Sequence, residues 1–138
     1  MKTIEYLPHL ADIRVRIEAD TLDELFEAGL KGMTNILKKD FCSSLTEFRI
    51  EYNVEIKSND VTALLVDFLS DVLTKSYVDR MLFCELSVSE LTAKSLIATV
   101  YGTRADGFDE DIKAITYHEA DVKQNNEGKW ETLLIFDI

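Results

Sequence analysis

Proline occurs once in this chain, at Pro8, and glycine only five times in 138 residues. Neither residue clusters, no segment repeats and no low-complexity stretch intervenes, so flexible linkers are excluded and 1–138 is expected to be one domain. Cations are scarce too: 15 Lys and Arg stand against 26 Asp and Glu, a net charge of −11. No basic block exceeds Lys38-Lys39, whereas phosphate contacts need clustered positive charge, so direct nucleic-acid binding is not expected. No run approaches the ~20 apolar residues that cross a bilayer, and Met1–Tyr6 lacks the apolar core of a secretory signal. Cysteine appears only at Cys42 and Cys84, outside any metal or redox spacing. The expectation is a reduced pair in a cytoplasmic protein without a membrane partner.

Apolar residues make up 46% of the chain, enough to build a hydrophobic core and to argue against disorder. Residues 3–7 and 13–19 read as extended segments; in the second, Ile13, Val15 and Ile17 alternate with Arg14, Arg16 and Glu18. Thr21 and Glu24 have the spacing of a capping box, followed by Leu22, Leu25, Phe26, Leu30, Met33, Ile36 and Leu37 at helical spacing through Lys38. Strand character returns over 46–57, through Phe48, Ile50, Tyr52, Val54 and Ile56. A second helix starts after Asn59-Asp60 and carries Val61, Leu64, Leu65, Phe68, Leu69, Val72 and Leu73.

From Arg80 onward the pattern is nearly all strand. Leu82 to Val88 alternates, Ser89-Glu90 reads as a turn, and Leu96 to Val100 resumes the alternation. Gly102 to Asp111 reads as a polar loop, and Ile112–Lys123 and Lys129–Ile138 as long strands joined by Asn125-Asn126-Glu127-Gly128. The economical architecture is α+β: two helices packed on one face of a mostly antiparallel sheet.

The chemistry concentrates at the two ends. His9 and Asp12 stand in a turn near the start, and the chain closes on Asp137-Ile138. Terminal residues fray unless tied down. If the ends meet, Asp12, Asp137 and the Ile138 carboxylate gather hard oxygens suited to a Ca²⁺- or Mg²⁺-like cation. Taken singly, each has a plainer role, a turn-capping Asp, a hydrogen-bonded His, the end of a strand; the conjunction is what points to a metal. Lys113 to His118 is the second notable segment, because a strand there puts only Ala114, Thr116 and His118 on one face. Such a face lines a cleft or is the solvated side of an edge strand. His9 and His118 are the only two histidines.

No Gly-rich phosphate loop, nucleophile elbow, His-Glu-x-x-His or activated cysteine is present. Asp106, Asp109, Glu110 and Asp111 read as solvated loop acids, with Phe108 among them as an oddity. A metal-dependent hydrolase built on Asp12, His9 and His118 would lack the scaffolding that positions a general base.

In this order the residues resemble the archease family. The motifs are His9-x-Ala11-Asp12-Ile13, Thr21-Leu22-x-Glu24-Leu25-Phe26-Glu27-Ala28, Leu64-Leu65-x-x-Phe68-Leu69, Lys113–His118, and Trp130 with the closing Asp137-Ile138. The resemblance spans the whole chain and implies a fold of interleaved strand-helix-strand-strand units. It implies an accessory protein, not an enzyme, that helps an RtcB-type RNA ligase become guanylylated and turn over repeatedly in tRNA splicing. It also implies a divalent cation, usually calcium with Mg²⁺ or Mn²⁺ as other hard cations, on Asp12, Asp137 and Ile138. His9, Lys113 and His118 would then contact the ligase or its nucleotide. The alternative function is a protein-interaction module whose metal is purely structural. Two departures stand out: Leu10 replaces the usual threonine, and in the 102–110 segment Thr103 follows Gly102 where the family pattern has an acid, with the customary histidine missing.

Overall fold

A computed structural model describes residues 2–5, 12–44, 47 and 49–138. The elements are β1 (Asp12–Ala19), α1 (Leu22–Leu37), a 3₁₀ turn (Cys42–Ser44), β2 (Ile50–Lys57), α2 (Val61–Asp79), β3 (Met81–Leu91), β4 (Ser95–Arg104), β5 (Ala114–Thr116), β6 (Lys123–Gln124) and β7 (Trp130–Asp137). The α+β expectation is met, with the strands divided between two antiparallel sheets. One has the order β1-β7-β5, with β6 also on β7; the other is β2-β4-β3. The chain leaves the first sheet after β1 and returns to it only at β5.

Both helices start where side-chain caps dictate. Thr21 accepts from the Glu24 N–H at 3.2 Å and Asp60 from the Ala63 N–H at 2.8 Å, each satisfying an orphan donor of a first turn. α1 packs on β1, β7 and β3, while α2 packs on strands of the second sheet and on β5, so the helices join the two sheets. Phe26 and Phe68 meet at 5.8 Å between ring centres, both fully buried. Where α1 crosses β3, the buried Thr34 hydroxyl donates to the Phe83 carbonyl at 2.6 Å.

Several expectations are corrected. Cys42 and Cys84 form a disulfide, with Cα atoms 5.6 Å apart despite a sequence separation of 42. Packing of α1 on β3 creates that proximity, which no spacing rule detects. A bulge between Phe83 and Glu85 leaves Cys84 without a partner on β4. The turn expected at Ser89-Glu90 is a second bulge instead, and the chain reverses at Thr92–Ser95, where the Thr92 hydroxyl accepts from the N–H groups of Lys94 and Ser95. β4 continues through Gly102 to Arg104, so the polar loop begins at Ala105. The long strand expected over 112–123 survives only as β5 and β6. Between them Glu119 takes φ +65°, and the Asp121 and Val122 N–H groups go to the hydroxyls of Thr132 and Thr62 instead of a ladder. Residues 2–5 form no strand, and Tyr6, Leu7 and Phe48 lie outside the described residues. Among those described, no helix is long and apolar enough to cross a membrane.

Gly102 is required by close approach: a Cβ there would sit 2.1 Å from the Leu82 carbonyl oxygen, which is backbone and cannot swing away. Gly102→Ala is therefore expected to cost about 3 kcal/mol or more, read as a lowered denaturation midpoint. Tyr77 carries a second test. Its hydroxyl donates to the Ile112 carbonyl at 2.8 Å and accepts from the Ile112 N–H at 2.6 Å. Burial first, then the nearby Asp111 and Glu110, push its pKa up to about 12, against the lowering effect of the Ile112 hydrogen bond. Because the folded pKa exceeds the unfolded value of about 10, the contribution is whole below pH 10 and lost as pH rises towards 12. Tyr77→Phe should flatten that alkaline fall in stability, and ultraviolet titration should show one late-ionising tyrosine disappear.

Candidate functional site

The two ends meet in the first sheet. β1 and β7 pair antiparallel from Asp12↔Asp137 to Ala19↔Trp130, so the acid near the start stands directly opposite the acid near the end. Opposed residues of an antiparallel pair project to the same face, within side-chain reach of each other. The inward positions drive this register: Val15 faces Leu134 and Ile17 faces Thr132, and slipping by one residue would turn those apolar groups to solvent. The β6–β7 turn supports it. Gly128, at φ +78°, lets the chain reverse, and the Asn125 amide donates to Glu18 at 3.0 Å and Glu131 at 3.2 Å, tying the turn to both strands. Asn125 first, with Arg16 2.6 Å from Glu131, holds the Glu131 carboxyl below its usual range.

On its other side β7 carries β5, with Ala114 opposite Asp137 and Thr116 opposite Ile135. The Lys113 N–H donates to the Asp137 carbonyl at 2.7 Å. The structure thus gathers Asp12, Asp137, Ile138 and the backbone of Lys113 at one end of the sheet. His118 is not among them: it follows the far end of β5, its N–H bonded to the Thr116 hydroxyl at 2.8 Å and its side chain exposed. β5 is an edge strand and Ala114 is exposed, which favours the solvated-face alternative over the cleft. His9 lies outside the described residues.

The paired acids leave this end of the sheet with negative charge that neighbouring cations only partly offset. Two carboxylates placed directly opposite each other repel. Arg14 offsets part of this, with Nε 3.8 Å from Asp12 Oδ1 and Nη1 2.6 Å from Glu119 Oε2. Sequence pattern could not single out Arg14, because its link to Glu119 depends on the left-handed turn after β5. Among the described residues, no group of three His, Cys, Asp or Glu side chains is assembled for a metal. The oxygen-bearing side chains the structure places at this end are Asp12 and Asp137, beside the half-buried Ile138. Both carry hard oxygens, which fit Ca²⁺, Mg²⁺ or Mn²⁺ and not a thiophilic ion.

The loop acids are better anchored than the sequence suggested. The Ala105 N–H bonds the Arg80 carbonyl at 3.0 Å and the Asp109 N–H bonds the Leu37 carbonyl at 2.7 Å, so the loop is fastened to the ends of both helices. Phe108 packs edge-on against Tyr77, 5.4 Å between ring centres, which accounts for an aromatic among acids.

Comparison with known proteins covers the whole chain. The model of the archease protein family (MTH1598/TM1083) matches residues 4–138. Protein archease of Pyrococcus abyssi is 32% identical over 145 residues, spanning all of both chains. That of Methanosarcina barkeri is 31% identical, covering 99% of this chain and 97% of the relative. Among solved structures, protein 1598 of Methanobacterium thermoautotrophicum superposes with a TM-score of 0.74 at 24% identity, over 96% of each chain. A Thermotoga maritima protein described as an archease and possible chaperone gives 0.68 at 15% identity, covering 100% of this chain and 99% of that one. These two likenesses are of fold.

Replacing Asp12 by Asn removes both a repulsion across the strand pair and an exposed contact with Arg14. In metal-free buffer the two effects should nearly cancel, leaving stability within about 0.5 kcal/mol of wild type by chemical denaturation. A large loss would show that the carboxylate holds the fold and is not reserved for a ligand.

Proposed function

The chain belongs to the archease family, and on that premise we propose that it is an accessory activator of an RtcB-type RNA ligase in tRNA splicing. It promotes guanylylation of the ligase and repeated turnover, and does not join RNA itself. The observation that supports this most directly is the register that sets Asp12 opposite Asp137, beside the final residue. These residues fit the divalent cation the family implies, with Asp12, Asp137 and the Ile138 carboxylate as its holders. When bound, the ion supplies positive charge on a chain that otherwise carries −11.

The chain's own residues do the rest. β7, held between β1 and β5, fixes the acidic pair on a rigid ladder instead of a mobile tail. Lys113, whose backbone is tied to Asp137, offers an exposed ammonium beside it for a phosphate or an acidic side chain. His118 and His9 remain candidates for partner contact. The acidic surface suits a basic partner and disfavours free RNA, which leaves substrate handling to the ligase.

The competing reading is an interaction module whose ion is only structural. Against it stands the ladder itself, because Asp12–Ala19 is paired with β7 along its full length by backbone hydrogen bonds. An ion is not needed to bring the ends together.

The test is a ligation time course on RNA bearing a 3′-phosphate, with the matched ligase and substoichiometric amounts of this chain. Wild type should support multiple turnovers; Asp12→Ala, and a form extended by one residue after Ile138, should not, and both should bind Ca²⁺ at least about tenfold more weakly by calorimetry. No stimulation by wild type would overturn the activator role. Loss of melting temperature on chelation, with stimulation intact, would make the ion structural.

A further inference from the structure

The disulfide joins the segment after α1 to β3 and takes no part in the proposed function. We propose that Cys42–Cys84 is a thiol–disulfide exchange site, opened and closed in the folded protein by a dithiol protein that attacks at Cys42.

The two cysteines differ in exposure. Cys84 is 1% exposed and packed in the bulge of β3 under α1. Cys42 is half-buried in the 3₁₀ turn and lines an open depression of about 310 Å³ with Lys31, Gly32, Asn35, Asp40 and Ser43. Attack requires approach to one sulfur, and access decides which. Only Cys42 offers it.

The surroundings allow the bond to open without unfolding. Residues 40–44 are held by short-range hydrogen bonds: Phe41 N–H to the Lys38 carbonyl at 3.2 Å, Asp40 N–H to the Asn35 side chain at 2.9 Å, and Ser44 N–H to the Asp40 carbonyl at 3.2 Å. The covalent bond ties Cys42 directly to β3, while Phe41 beside it packs against the core. Thr34 keeps α1 on the Phe83 carbonyl independently, so α1 stays docked when the sulfurs part.

Electrons and atoms balance as follows. A thiolate of the reductant attacks Cys42 Sγ; the Cys42–Cys84 bond breaks, and its electron pair leaves on Cys84, which takes a proton from water. The second thiol of the reductant, as its thiolate, then attacks the mixed disulfide and expels Cys42, which is protonated in turn. The pair gains two electrons and two protons, and the reductant becomes a disulfide. Cys84, buried beside the vacated position, recloses the bond when an oxidised partner modifies Cys42.

Release reaches further than the cysteines. The C-terminal end of α1 also holds the acidic loop, through the Leu37 carbonyl to the Asp109 N–H at 2.7 Å and Lys38 Nζ to the Gly107 carbonyl at 3.5 Å. Freeing 38–44 loosens the segment next to that anchor, so the redox state of one bond sets the order of two surface segments.

The test uses the full chain, air-oxidised and folded, at neutral pH. A Cys-x-x-Cys dithiol protein should reduce it at least about tenfold faster than the chain unfolds globally, as timed by pulse proteolysis. A form of that dithiol protein lacking its second cysteine should be trapped on Cys42, mapped by mass spectrometry, and not on Cys42→Ser or Cys84→Ser chains. Amide exchange should quicken over 38–44 in the reduced protein, with α1 still protected. Two free thiols in the air-oxidised chain, capture at Cys84, reduction no faster than unfolding, or unchanged exchange over 38–44 would each overturn the proposal.

Discussion

The β1–β7 ladder is the constraint on which the rest of this molecule depends. It joins the first described strand to the last, so α1, β2, α2, β3 and β4 are enclosed between its two partners in sequence. Its inner face, Val15, Ile17, Leu134 and Phe136, forms part of the core against which α1 packs. Its register puts two carboxylates opposite each other at one end. The same backbone pairing therefore closes the fold and creates the charge arrangement that a cation would complete. Asn125 serves both ends of this logic: its side-chain oxygen accepts from the Glu127 and Lys129 N–H groups within the turn, and its amide reaches Glu18 and Glu131 on the paired strands.

A second constraint is the crossing of α1 over β3. Thr34 on the Phe83 carbonyl, the disulfide at Cys84 and the fully buried Met33 and Leu37 all lie along this crossing. The bulge at Cys84 bends the strand and exempts one residue from β4 pairing, and that residue bonds to the segment following α1. The acidic loop is hung from the same helix end. The 102–110 segment is neither adrift nor uniform: Gly102 to Arg104 is ladder, and Ala105 onward is loop pinned at Arg80 and Leu37. Gly102 stands where β4 approaches the Leu82 carbonyl too closely for any side chain, a requirement of packing independent of the residue that follows it.

Charge and function fit together at the level of surfaces. A net charge of −11 repels polyanions and attracts basic surfaces at long range. The few cations near the paired ends are engaged with acids, Arg14 with Glu119 and Arg16 with Glu131, whereas Lys113 is exposed beside Asp137. An accessory role asks for a rigidly presented edge more than for a catalytic pocket, and the central position of β7 supplies one.

Periodicity and end signals in the sequence were sufficient for both helices, the Thr21 cap, β1, β7 and the Asn125–Gly128 turn, because each depends on residues close in the chain. The acids at the two ends were legible as a candidate pair, though only the register shows them opposed. The disulfide, the two bulges, the split of 112–123 and the Arg14–Glu119 contact were not legible. Each depends on a partner far along the chain: Thr62 and Thr132 take the N–H groups that a strand over 112–123 would have used, and Cys84 meets Cys42 only because α1 lies on β3. Local pattern fixes which residues can be buried and where backbone hydrogen bonds can begin or end. Which distant group accepts a given N–H, and which sulfur faces which, is decided by how the helices join the two sheets.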